Sequence, residues 1–232
     1  MNYISGGYYL VELKERPSYI EKKIMPDKVL SLSSCICNIH PSIDVFWGDS
    51  NVNKLQYMDD WNLSTLDYKE LENWIEKNFK KNVFLYPQVF SSVKLAKEIK
   101  KKFFDFDNIY IIGIALPEQY VNDFVNFENS LNKIELDRYG VESLLLKKDR
   151  INLENTEFLG YEILGFEPGM FHSYLCNGLE KDFNHNFDFS PNKYGFIKTI
   201  EESIKYCEYS NSNVENLGTE DVLWLPWAVF KY

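Results

Sequence analysis

The sequence predicts an α+β or mixed α/β fold, a single domain with a mixed sheet covered by helices. Three observations lead there. Apolar runs of strand length alternate with segments whose apolar residues recur at helical spacing. Two strand-then-helix units follow one another directly in the first half. The 232 residues contain no fixed-period repeat, no Pro- or Gly-rich linker and no low-complexity tract to divide them. A chain of this length hides roughly 70% of the surface its unfolded form exposes, so it needs no disulfide or metal staples. One domain over 1–232 is expected.

Taken in order, Tyr8 to Leu13 reads as a strand after a Gly6-Gly7 turn, and Val29 to Ile39, bracketed by Pro26 and Pro41, as a second. Trp47 to Asn53 reads as a loop. Leu63 to Asp67 then offers capping residues to a helix in which Leu71, Trp74, Ile75 and Phe79 face inward. Asn82 to Pro87 is a short strand. A capped helix starts at Ser91 with Val93, Leu95, Ala96, Ile99 and Phe103 inward. Asn108 to Leu116 is a near-continuous apolar run, suited to a strand covered on both faces. Pro117 stands at the first turn of the helix that carries Tyr120, Val121, Phe124 and Phe127. Two such units in succession suggest a parallel pair of strands.

In the second half, Tyr139 to Leu146 is ambiguous between strand and helix, and Phe158 to Phe166 is a strand despite Gly160 and Gly165. Gly169 to Phe183 and Gly195 to Tyr209 read as helices. Val222 to Phe230 is extended, and Pro226 marks it as an edge or bulged strand.

Thirty-five acids against 25 Lys plus Arg give a formal charge of −10. Met1 to Leu116 is balanced at 15 against 15, whereas Pro117 to Tyr232 carries 10 bases and 20 acids, so the excess lies wholly in the second half. A surface that binds nucleic acid must present a basic excess, which excludes direct nucleic-acid binding as the expectation. No apolar run reaches the ~20 residues of a membrane span, and the first ten residues lack the pattern of a secretion signal, so a cytoplasmic location is expected. Four cysteines are too sparse for a disulfide scaffold and read as reduced thiols.

Chemistry-bearing groups are few. If 169–183 is helical, His172, Cys176 and Glu180 fall four apart on one stripe, a thiol, an imidazole and a carboxylate that could serve a thiol-dependent enzyme; the competing reading is helix packing. Cys35, Cys37 and His40 lack the spacing that wraps zinc, so no metal is expected. There is no phosphate-binding loop, dinucleotide turn, nucleophile elbow or zinc-binding helix motif, and no cofactor is expected. The remaining pattern interleaves acids with aromatics, which make up 16% of the chain. Glu154, Glu157, Tyr161, Glu162 and Glu167 run through one strand. Glu201, Glu202, Tyr206, Glu208 and Tyr209 run through one helix, and Glu215, Glu220, Asp221 and Trp224 through the tail. Carboxylates set the encounter rate and register with a basic protein, and Tyr and Trp supply contact area. Solvated acids over ordinary core aromatics are the plain alternative.

Leu159-Gly160-Tyr161-Glu162-Ile163-Leu164-Gly165, followed by Gly169-Met170-Phe171-His172-Ser173-Tyr174-Leu175-Cys176-Asn177-Gly178-Leu179-Glu180, resembles bacterial immunity proteins of polymorphic or contact-dependent toxin systems. The Leu-Trp-Leu-Pro-Trp stretch near the end adds to it. The resemblance covers about a tenth of the chain. It implies a small, acidic, cytosolic, single-domain protein that neutralises a cognate toxin by occluding its active site, the toxin often being a basic nuclease. It assigns no binding residues. The expectation is therefore a non-enzymatic toxin inhibitor acting through its acidic, Tyr- and Trp-bearing second half.

Overall fold

The computed structural model describes residues 1–33, 35–36, 39, 55, 58–85, 88–130, 140–167 and 170–232. Among them a seven-stranded sheet runs in the order β4-β5-β1-β6-β9-β7-β8. Its members are β1 (Tyr3–Glu12), β4 (Phe84–Leu85), β5 (Val89–Phe90), β6 (Ile109–Pro117), β7 (Glu157–Glu167), β8 (Met170–Ser173) and β9 (Leu225–Lys231). A small second sheet pairs β2 (Lys14–Glu15) with β3 (Lys28–Val29). Helices are α1 (Thr65–Phe79), α2 (Val93–Phe103), α3 (Glu118–Ser130), α4 (Gly140–Lys147), α5 (Leu179–Asn186), α6 (Ile200–Ser212) and α7 (Val214–Leu217). The class is α+β. No described helix is long and apolar enough to cross a membrane.

Every pairing in the large sheet is antiparallel, which corrects the expected mixed sheet with a parallel pair. The reason lies in the order of the strands. β5, α2 and β6 do form a strand–helix–strand crossover, and β5 and β6 run the same way, but β1 lies between them and pairs with both. The next crossover, from β6 through α3 and α4 to β7, is split in the same manner by β9. The first and last long strands of the chain thus fill the two gaps.

Side chains alternating along the sheet feed two apolar layers. Tyr8, Leu10, Ile109, Ile111 and Phe90 pack with Leu71 and Ile75 of α1 and Ala96, Ile99 and Phe103 of α2. Tyr9, Val11, Ile112, Ile114 and Leu116 point the other way. They join Val121 and Phe124 of α3, Tyr206 and Cys207 of α6, and the aromatics Tyr174, Phe183, Trp224 and Trp227. Because β1 and β6 are covered on both faces, their sequences are apolar at consecutive positions.

α1 and α2 form where the periodicity places them. Ser64 and Asp67 make a reciprocal capping box on α1, and Ser92 caps α2. Residues 140–147 resolve as helix. Other segments differ from expectation. Gly6 and Gly7 lie inside β1, at a bulge where the register with β6 shifts, and do not form a turn before it. Gly7 has φ +97°, and a Cβ there would stand 2.3 Å from Val89 Cγ1 and 2.8 Å from Leu144 Cδ1, so α4 and β5 approach the sheet only over a glycine. Among the described residues of the strand expected over 29–39, Val29 alone pairs in a sheet, and part of that run, like the loop at 47–53, lies outside the described residues. Pro117 closes β6, pairing with Tyr3, rather than opening α3. Residues 195–199 are not helical: Ile197 bridges to Tyr161, and α6 starts only after its cap Thr199.

Two corrections shape the site. The stretch expected to be a helix from 169 begins as strand β8, a hairpin partner of β7, and helix α5 starts only at Leu179, after Gly178 in the left-handed region. And β9 is interior, not an edge. Pro226 is tolerated because β6 pairs with β9 only at 228–231, so the proline faces Ile163 of β7 on one side and no β6 residue on the other.

Candidate functional site

β7 carries Glu162 into the interior, where it is 1% exposed. Its Oε1 accepts the hydroxyls of Ser31 at 2.6 Å and Ser173 at 2.7 Å, and its Oε2 accepts the backbone N–H of Leu32 at 3.0 Å. The serines are themselves held: Ser31 Oγ accepts Ser33 N–H and Ser173 Oγ accepts Leu175 N–H. One carboxylate thus ties the 31–33 segment to β7 and β8. Burial pushes its pKa up to about 7, against the lowering effect of the three hydrogen bonds. Glu162 is therefore not part of a docking surface, as the acid-aromatic pattern has it. Sealed from solvent, it acts on the fold.

His172, Cys176 and Glu180 do not share a helix, because they fall on β8, on the turn after it and on α5. His172 faces Glu167 Oε2 through Nε2 and Glu220 Oε1 through Nδ1, each at 3.1 Å. The two carboxylates flank opposite ring nitrogens, so they do not converge with the imidazole on one metal ion. Cys176 Sγ lies 2.9 Å from Ser33 Oγ, and burial raises its thiol to about 11. Glu180 is buried; it accepts Glu21 N–H at 3.2 Å, and burial raises its pKa. Each of the three has its own partners, and none of these contacts links one to another. A thiol held at about 11 is almost wholly protonated near neutrality. Iodoacetamide at about pH 7.5 is thus expected to modify exposed Cys35 and leave Cys176 intact by peptide mapping; fast alkylation of Cys176 would restore the nucleophile reading. Cys37 and His40 lie outside the described residues.

α6 packs on β7 and β9, and at its end Asn211 bonds both the N–H and the carbonyl of Trp224. Glu154, Glu157, Glu201, Glu208, Glu215 and Asp221 are exposed, with no ion-pair partner among the described residues. Glu202 is half-buried and bonds its helix cap Thr199. Glu167 and Glu220 are engaged by His172.

The aromatics behave differently. Trp224 is 0% exposed, Tyr206 stacks on Phe183 with ring centres 4.8 Å apart, and Tyr161 is buried with its hydroxyl on that of Tyr3. These three cannot meet a partner, because their rings complete the core beneath α6. Tyr209 is half-buried beside Phe187 and Asn186. Phe158, which the charge pattern passed over, is 46% exposed and packs edge-on against Tyr161.

Two open hollows lie elsewhere, one lined by Met1, Asn2, Glu118 and Gln119, the other by residues around Ile24 and Lys181. Neither reaches Glu162, His172 or Cys176. No family model, curated protein or solved structure matches this chain.

Proposed function

We propose that the protein is a non-enzymatic immunity protein that binds and neutralises a cognate basic toxin domain through the carboxylates of its second half. One observation carries this reading: six exposed carboxylates without ion-pair partners among the described residues, on three segments that α6 gathers over β7 and β9. Unpaired acids raise the encounter rate of a cationic partner and set its orientation. Exposed Phe158 and half-buried Tyr209 supply the apolar contact in place of the buried Tyr161, Tyr206 and Trp224.

The experiment is stopped-flow association with the basic carboxy-terminal domain of a toxin encoded beside this chain. The on-rate is expected to fall about tenfold or more between about 0.05 M and about 0.5 M salt. Glu201→Lys with Glu208→Lys is expected to slow it further at low salt. An on-rate indifferent to salt and to these reversals would sink the reading, as would toxin activity undiminished at equimolar inhibitor.

A further inference from the structure

The sheet places lysine-rich α2 on one face and acidic α3 and α6 on the other. On one face α2 bears five lysines and one glutamate. Lys100 and Lys102 are engaged, with Asp105 at 3.8 Å and Glu70 at 2.6 Å. Lys94, Lys97 and Lys101, at i, i+3 and i+7, form one exposed stripe with no ion-pair partner among the described residues. On the other face α3 contains no lysine or arginine, and its exposed Asp123 lies near α6, since both Asp123 and Glu208 act on the hydroxyl of Tyr120. Glu201 and Glu208 lie two turns apart on the outer side of α6. The one lysine of α6, Lys205, leans over the Phe187 ring at 4.2 Å.

Within one molecule these surfaces cannot meet, because the buried residues of α2 pack against the opposite sheet face from those of α3 and α6. We propose that the chain self-associates head to tail, the Lys94/Lys97/Lys101 stripe of one copy docking on the Asp123/Glu201/Glu208 surface of the next. The second copy is the occupant because its acidic layer is the charge-complementary surface that every molecule supplies. Like net charges repel at a distance, so only the orientation that brings the lysine stripe inward is productive, and the contact is weak and screened by salt. Such a contact is heterologous. It leaves a free stripe at one end and a free acidic surface at the other, and growth need not stop at two. This inference shares Glu201 and Glu208 with the toxin reading, but it does not depend on that reading and is measured without toxin.

The test is sedimentation velocity of the full chain over a concentration series. At about 0.05 M salt the mean mass is expected to rise with concentration without a plateau at dimer, and at about 0.5 M salt to return to monomer. A variant with Lys94→Glu, Lys97→Glu and Lys101→Glu, and another with Asp123→Lys, Glu201→Lys and Glu208→Lys, each checked for fold by circular dichroism, are expected to be monomeric alone. Mixed in equal amounts they are expected to associate, since the intact surface of each meets the intact surface of the other. A monomer under all conditions, association that survives either reversal, or a mixture that stays monomeric would overturn the proposal. So would a monomeric wild type that binds phosphatidylserine vesicles through the lysine stripe, which would assign the stripe to a lipid surface.

Discussion

Replacing Glu162 by leucine is expected to lower unfolding stability by about 3 kcal/mol or more, because two serine hydroxyls and the Leu32 N–H lose their acceptor inside the protein, at about 1–3 kcal/mol for each group that finds no other. Its titration gives a second readout. The carboxyl has a folded pKa of about 7 against an ordinary value of 4.5. A raised folded value means that the folded state takes up the proton more readily than the unfolded chain. The resulting stability is fully present below about pH 4.5 and is lost as pH rises to about 7. At about 1.36 kcal/mol per pKa unit the difference is worth about 3 kcal/mol. Urea melts of wild type and Glu162→Gln across this range should therefore show the wild type losing about 3 kcal/mol relative to the variant, with no further change above about pH 8. The amide adds an offset of its own, since its NH₂ meets the Leu32 N–H, but that offset does not vary with pH. A difference flat from acid to neutral would mean that the carboxyl does not titrate there.

Trp227→Ala is expected to cost about 3–5 kcal/mol. Trp227 is fully buried on β9, and its ring meets Phe124 edge-on at 5.8 Å and Phe171 at 5.3 Å. It thereby joins α3 to the β7–β8 hairpin. A Cβ on Gly6 would stand 2.8 Å from the ring, so the tryptophan also fills the space that the glycine leaves. Removing the indole opens a cavity whose aromatic walls cannot collapse together. A melting temperature lower by about 10 °C is the calorimetric signature, and Trp227→Phe should recover much of it. A loss below about 1 kcal/mol would show that the walls do close.

The long strands were legible because each is apolar well beyond chance: β6 and β7 carry their own signal in consecutive buried residues. α1 and α2 were legible through caps and a single wet face. What failed depended on partners distant in the chain. Phe171, Leu175, Leu179 and Phe183 are all buried, so their four-residue spacing imitated one helix, although the first lies in a strand and the last two in α5. The strand order was hidden for the same reason. Nothing local to residues 225–231 says that they pair with β6 as well as β7.

At the site, counting charge grouped Glu162 with the surface acids. Its flanks, Tyr161 and Ile163 within an almost wholly apolar run, held the signal of burial. Of its hydroxyl donors, Ser173 arrives through the hairpin with β8, whereas Ser31 lies 131 residues away and could not be read with it. Of the two carboxylates on His172, Glu167 follows from the hairpin register once the hairpin is known, whereas Glu220 arrives with the approach to β9.

The placing of β9 between β6 and β7 bears on how the nascent polypeptide acquires its shape. Leu225–Lys231 leaves the ribosome long after both neighbours have emerged, and until then each presents an apolar strand margin with unmade hydrogen bonds. A chain stopped short of residue 225 is therefore expected to aggregate through those margins, where the full chain does not.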